Sequence, residues 1–241
     1  PIVLAPHAAG VAKVASRSSV KGALKCAKWG NGAISFDFNA HGMFNDREQD
    51  YYDELDSGPL YRYSSRVING REDYYFHGMF LRIQRALDFL CTMEEWDGKR
   101  VMSHGQSQGG AQSCAIAGMD PRVTCLVMIV PAGIDTGGQF AGHANSWPKP
   151  LDLSGQNMEA ALKVAPYFDG ASFLKFTDAI ICAEIGLIDT TCQPSGVFAG
   201  LNNARGEKVI FTCPYRPHGN VAKPYAKAWH ARIAVERQKF I

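Results

Sequence analysis

Gly105-Gln106-Ser107-Gln108-Gly109 places a hydroxyl at the centre of a glycine-flanked turn, after the strand-like run 101–104 and before the small-residue, helix-compatible run 111–118. A serine at a sharp strand-to-helix corner presents its oxygen to substrate, and the positions two residues away must be small so that strand and helix can approach. Gly105, Gly109 and Gly110 meet that demand. The corner also aims the next backbone N–H, that of Gln108, at the reacting carbonyl, at a helix start where developing negative charge is favoured. The pentapeptide alone is a weak signal that an ordinary glycine turn also satisfies. The flanking strand and helix patterns, with a buried apolar run at 123–130 beyond them, favour Ser107 as a nucleophile.

A serine hydroxyl needs a general base, normally a histidine whose other ring nitrogen is held by a carboxylate. On a sheet of this kind the chain order is serine, then acid, then histidine, with the last two on loops after later strands. Asp189 follows the apolar run 179–185 and is the preferred acid, with Asp135 the runner-up; a capping role for Asp189 is weaker because the helical stretch beginning at Pro194 starts too far on. His218, in the rigid loop Pro214-Tyr215-Arg216-Pro217-His218-Gly219 after the last strand-like run, is the expected base. His104 reads as a core or supporting residue of the strand before the corner. His41, His77, His143 and His230 read as surface or hydrogen-bonded loop residues. The segment Pro6-His7-Ala8-Ala9-Gly10 after the first strand is small enough to bring a second backbone donor to the oxyanion; Ala9 is the chosen donor, with His7 lining the site.

These groups need a scaffold that gathers distant loops. Apolar runs at 2–5, 33–38, 100–104, 123–130, 179–185 and 208–213 alternate with helix-compatible stretches at 20–29, 75–95, 108–118, 194–204 and 221–238. That alternation predicts an α/β fold, a mainly parallel sheet with helices on both faces. In the stretch 75–95, Met79, Ile83, Ala86, Leu87 and Leu90 fall on one stripe, and Arg82, Arg85 and Asp88 on the other. Two insertions interrupt the alternation, at 43–73 and 134–177, the second with a short helical pattern at 158–164; both are expected over the active site.

The 241 residues suit one catalytic domain, and no linker divides them. A net charge of +2 without a basic stripe argues against a nucleic-acid partner, and no run approaches the ~20 apolar residues of a membrane span. No G-x-G-x-x-G or Walker loop supports a nucleotide, and the seven cysteines lack the paired spacing of a zinc or redox site, so no cofactor or metal is expected, though one disulfide is allowed. Opening on a strand without an initiator Met, the chain reads as a processed product or part of a longer polypeptide. Its compartment is unknown, a secreted or periplasmic setting being favoured over a cytoplasmic one.

Gly78-Met79-Phe80-Leu81-Arg82 through Ala86-Leu87-Asp88-Phe89-Leu90, Gln106-Ser107-Gln108-Gly109-Gly110, Asp120-Pro121-Arg122-Val123, Tyr167-Phe168-Asp169, and Gly186-Leu187-Ile188-Asp189-Thr190 with Pro194-Ser195-Gly196-Val197-Phe198 resemble the acetyl xylan esterase and cephalosporin C deacetylase group of α/β-hydrolases, carbohydrate esterase family seven. The resemblance runs from about Phe76 onward. It implies a serine esterase that removes acetyl or similar short acyl groups from sugars by two-step acyl transfer, with an acylated saccharide as partner, no cofactor, and a homo-oligomer allowed. On that reading Tyr51, Tyr52, Tyr61, Tyr63 and Trp147 on the insertions are candidates to stack on sugar rings, with packing onto the sheet an equal alternative. Three departures mark a divergent branch: Asn39-Ala40-His41-Gly42 stands where the family has Arg-Gly-Gln-Gly, Gly219 rather than Glu follows His218, and the family's first strands are missing before Pro1. Two other readings stay open: a non-catalytic binding module on a hydrolase fold, and a peptidase or lactone hydrolase of the same superfamily.

Overall fold

A computed structural model describes residues 1–11, 18–29, 32–151, 155, 157–219 and 222–240. Six strands, β1 (Ile2–Pro6), β2 (Ile34–Phe38), β3 (Val101–Gln106), β4 (Cys125–Ile129), β5 (Ile180–Gly186) and β6 (Lys208–Cys213), form one sheet in the order β2-β1-β3-β4-β5-β6. Every neighbouring pair is parallel. Eight helices accompany them among the described residues: α1 (Val20–Trp29), α2 (Gln49–Ser57), α3 (Tyr75–Leu90), α4 (Gln108–Met119), α5 (Met158–Val164), α6 (Gly170–Leu174), α7 (Pro194–Asn203) and α8 (Lys223–Phe240).

Strand alternation divides the core into two layers. Ile2, Leu4, Leu126, Met128, Ile181, Ala183 and Ile185 face one side, where Leu87 of α3, Ile116 of α4 and Val197 and Leu201 of α7 cover them. Val3, Ala5, Met102, Cys125, Val127 and Cys182 face the other, against Cys26 of α1 and Trp229 and Ile233 of α8. A parallel sheet covered on both faces needs strands apolar at successive positions, and β1 and β4 are buried along their whole length. The expected α/β architecture is therefore present, and no described helix is long and apolar enough to cross a membrane.

Element boundaries differ from the sequence reading in physical detail. The strand expected over 123–130 narrows to β4, because Val130 leaves the extended region at φ 37°, its N–H donating to the Glu184 carbonyl at 2.9 Å. The helix expected to reach 95 stops at Leu90, the last buried position of its apolar stripe, and continues as turns. α8 runs to Phe240; Val221, where the sequence placed its start, lies outside the described residues. α2 and the five-residue α6 were not anticipated. α6 is held at its start by the Asp169 carboxylate, which accepts the Ala171 N–H at 2.8 Å. All seven cysteines are free, six of them buried, so the allowed disulfide does not form.

Candidate active site

Strand order reverses between β1 and β3, which puts the loops after these strands on either side of a crevice at the carboxyl edge of the sheet, the usual ligand position in open α/β sheets. Ser107 sits at that edge, directly after β3 and before α4, with φ 55° and ψ −121°. A non-glycine residue held there is strained, and the surroundings must over-determine it. They do: the Ser107 N–H donates to the Ile129 carbonyl at 2.9 Å, and the Ser107 carbonyl accepts from Ala111 and Ala132 at 3.1 and 3.0 Å. The glycines are required by contact. A Cβ on Gly105 would fall 2.1 Å from the Gly109 carbonyl oxygen, one on Gly109 would fall 2.3 Å from the Pro6 carbonyl oxygen, and one on Gly110 would fall 2.8 Å from Pro131 Cβ.

Asp189 follows β5 and His218 follows β6, and the fold brings both to Ser107. His218 Nε2 lies 2.9 Å from Ser107 Oγ, and His218 Nδ1 lies 2.8 Å from Asp189 Oδ2. The other Asp189 oxygen accepts the Thr191 and Cys192 N–H groups, both at 2.8 Å, so a fully buried carboxylate is fixed on all sides. Asp135 is occupied elsewhere, pairing with His143 Nδ1 at 2.7 Å, which separates the two candidate acids. Oriented in this way, the histidine can take the serine proton while the carboxylate holds its tautomer.

Gln108 is the first residue of α4, so its N–H precedes the helical hydrogen-bond ladder and is free to serve an oxyanion. Its side-chain oxygen accepts from the Tyr63 hydroxyl at 2.6 Å, and the Gly10 backbone bonds to the same hydroxyl. Tyr63 thus links the first insertion to both walls of the crevice. Ala9 is exposed in the loop after β1, whose carbonyls at Pro6 and His7 run beside the start of α4. The His7 ring is turned to Asp37 at the end of β2, a hydrogen bond that ties this loop to the sheet.

The aromatic residues of the insertions separate by burial. Tyr52 is 1% exposed and donates its hydroxyl to the Phe44 carbonyl at 2.8 Å; with no free ring face it packs the insertion and is removed from the sugar-stacking set. Tyr63 is removed for the same reason. Tyr51 is half-buried with its ring edge on Tyr52, and Tyr61 is exposed. Trp147 is half-buried against Ala111, Ala132 and Cys192 beside the corner, its backbone N–H donating to the Thr191 carbonyl and its carbonyl accepting from the Gly133 N–H.

Two features went unseen in the sequence, and a third, His41, is a hydrogen-bonded loop histidine as expected but is also buried. Cys192 is buried beside Asp189 and His218, and these three offer donor atoms within 4.8 Å of one another. Burial and the Asp189 charge push the Cys192 thiol far up, so it stays protonated, which suits a packed thiol better than a metal ligand. His41 is buried among Tyr63, Tyr75 and Arg82, and burial lowers its pKa to about 4, leaving a neutral imidazole 2.7 Å from the Tyr75 hydroxyl. Glu184 of β5 and Arg216, in the loop that carries His218, form a buried ion pair at 2.8 Å. Burial pushes the Glu184 carboxyl up to about 7, against the downward pull of Arg216. A glutamate inside the apolar run Ile-Ile-Cys-Ala-Glu-Ile-Gly was the available signal. His104, by contrast, is the supporting residue expected of it, bonded to Arg237 at 3.0 Å and tilted against the Trp29 ring at 4.7 Å.

A serine on a strained strand-to-helix corner, with an acid and a histidine delivered from the ends of two later strands of a parallel sheet, defines an α/β-hydrolase. The sequence profile of the acetyl xylan esterase (AXE1) family matches residues 13–233, and the chain belongs to that family. It is 27% identical over 221 residues to the acetyl esterase Axe7A of Xylanibacter ruminicola, a match that covers 90% of this chain and 49% of that protein; the chain spans about half the length of this relative. Among solved structures it resembles an acetyl xylan esterase from Paenibacillus sp. R4 (TM-score 0.72, 24% identity, 98% of this chain and 74% of that one). Acetyl xylan esterase 1 from Thermoanaerobacterium sp. JW/SL YS485 is similar (TM-score 0.70, 21% identity, with the same coverage). An acylaminoacyl peptidase shares the fold at 15% identity, covering 98% of this chain and 36% of its own (TM-score 0.64).

Proposed function

We propose that this chain is a serine esterase that releases acetyl or similar short acyl groups from carbohydrate through a Ser107, His218 and Asp189 triad. The observation that carries the reading is His218 spanning Ser107 and Asp189 at 2.9 and 2.8 Å from three separate loops. Ser107 Oγ attacks the ester carbonyl as His218 Nε2 takes its proton; the oxyanion rests on the Gln108 N–H, with the Ala9 N–H as second donor. The sugar alkoxide leaves with the proton from His218, and water, activated by the same imidazole, hydrolyses the acyl-enzyme. Family membership and the esterase names of the relatives support the substrate class. Trp147, Tyr51 and Tyr61 remain the candidate sugar contacts.

The test compares 4-nitrophenol release from its acetate, and acetate release from acetylated xylo-oligosaccharides, between the purified chain and Ser107→Ala. The reading predicts turnover of both substrates by the first and neither by the second. Turnover of the small ester alone rejects the saccharide, and a folded but inactive parent chain favours the binding-module alternative.

A further inference from the structure

We infer that the buried Glu184–Arg216 pair is a positioning device for the base: it fixes the loop that carries His218 to the strand that carries the acid. The inference rests on the triad reading above and extends it to two residues whose side chains hydrogen-bond to neither Ser107 nor His218.

Arg216 lies two residues before His218 in the loop after β6, and Glu184 lies five residues before Asp189 on β5. Their side chains are 6% and 1% exposed, with Arg216 Nη1 2.8 Å from Glu184 Oε1. The backbone is fitted to the same contact. A Cβ on Gly186 would fall 2.5 Å from the Arg216 carbonyl oxygen, so the glycine lets the base loop lie directly on the end of β5. The Arg216 N–H and the Leu187 N–H both donate to the Cys213 carbonyl, at 3.2 and 3.1 Å, which closes the acid and base loops on one acceptor. Glu184 also reaches the nucleophile's side. Its carbonyl accepts the Val130 N–H, one residue beyond Ile129, whose carbonyl holds the Ser107 N–H.

An ion pair in this setting is a poor source of stability, because desolvating both charges offsets their attraction. Among the described residues this pair is also incompletely satisfied: Glu184 Oε2 and Arg216 Nε are buried without a hydrogen-bond partner. Its geometric consequence is clearer. A guanidinium two residues from His218 and a carboxylate five residues from Asp189 restrict the separation of the two loops, and that separation sets the His218 distances to both Ser107 and Asp189. A displacement of about 1 Å at a catalytic group is enough to lower turnover about 100-fold.

The experiment measures kcat and KM for 4-nitrophenyl acetate, with thermal midpoints, in the purified chain and in Glu184→Gln, Arg216→Met, Arg216→Lys and the double variant Glu184→Gln/Arg216→Met. Positioning predicts that kcat falls about 10- to 100-fold in the single variants with KM within about twofold, and that Arg216→Lys, which keeps the cation, recovers part of the loss. The double variant discriminates. It removes both charges and relieves the unpaired one, so its thermal midpoint recovers while kcat stays low. Recovery of kcat together with stability in the double variant, or kcat within twofold of the parent in folded single variants, overturns the proposal. Where Arg216→Met does not fold, Glu184→Gln and Arg216→Lys carry the same comparison. Ser107→Ala is assayed alongside: turnover there removes the triad reading itself, whereas an inactive Ser107→Ala with unimpaired Glu184 and Arg216 variants removes only this inference.

Discussion

At the scale of single residues, the site is a set of contacts that tolerate little. His218 is held from both sides, and the buried Asp189 carboxylate has its second oxygen spent on two backbone donors, so in the proposed triad it would orient the imidazole as much as supply charge. Asp189→Asn is expected to keep the fold and lower kcat by about 10⁴, because the amide favours the wrong imidazole tautomer, with KM for 4-nitrophenyl acetate little changed. A loss below about tenfold would remove Asp189 from the triad. The corner glycines are equally constrained. Gly109→Ala drives a methyl into the Pro6 carbonyl and is expected to destabilise by about 1–3 kcal/mol in urea unfolding, whereas Gly137→Ala, at φ −97° with nothing within 4 Å of the new carbon, changes stability by less than about 0.5 kcal/mol. Ser107, Asp189 and His218 were legible in the sequence because residue type, chain order and position after an apolar run all coincide. For Tyr52 the sequence left sugar contact and packing as equal alternatives, because a tyrosine in an insertion has the same signature whether its ring faces substrate or packs, and its burial favours packing.

At the scale of elements, the first insertion is not a loose cover. α2 is anchored by Tyr52, and the turn at Tyr63 reaches Gln108 and Gly10, so the insertion helps to frame the side of the crevice where α4 starts. His41 is packed beneath it, and its pKa, lowered from 6.5 to about 4 by burial and by Arg82, makes that packing pH-dependent. The unfolded chain takes up this proton before the folded one does. Stability from His41 is therefore fully present above pH 6.5 and is lost as pH falls towards 4, by about 3 kcal/mol for the whole shift. Thermal midpoints followed from pH 7 to 4 should fall more steeply in the parent chain than in His41→Phe; parallel curves would contradict the account. The polar, acidic α2 and the very short α6 were illegible because neither carries an apolar stripe long enough to announce a helix, whereas α3 and α5 do.

At the scale of the molecule, one parallel sheet sandwiched between two apolar layers carries the site on its carboxyl edge. Burial falls from the central strands to the edge, and mutational cost should follow. Leu126→Ala in β4, with no exposure, is expected to lose about 2–5 kcal/mol in urea unfolding, and Ile210→Ala on the edge strand β6, 40% exposed, less than about 1 kcal/mol. Equal losses would mean that β6 is buried by a partner. The alternation of strands and helices made this architecture readable from the sequence, since apolar periodicity is a local property. The Glu184–Arg216 contact was not readable, because it joins a strand interior to a distant loop and only the folded sheet brings them together.

The central claim, that Ser107 is the nucleophile of an acyl-enzyme, is tested most directly by acid-quenching the chain during turnover of 4-nitrophenyl acetate and locating the acetyl group by peptide mass spectrometry. The account predicts acetyl on Ser107, accumulating before steady state and absent from Ser107→Ala. Acetyl on another residue, or product formation by Ser107→Ala at the parent rate, would contradict it.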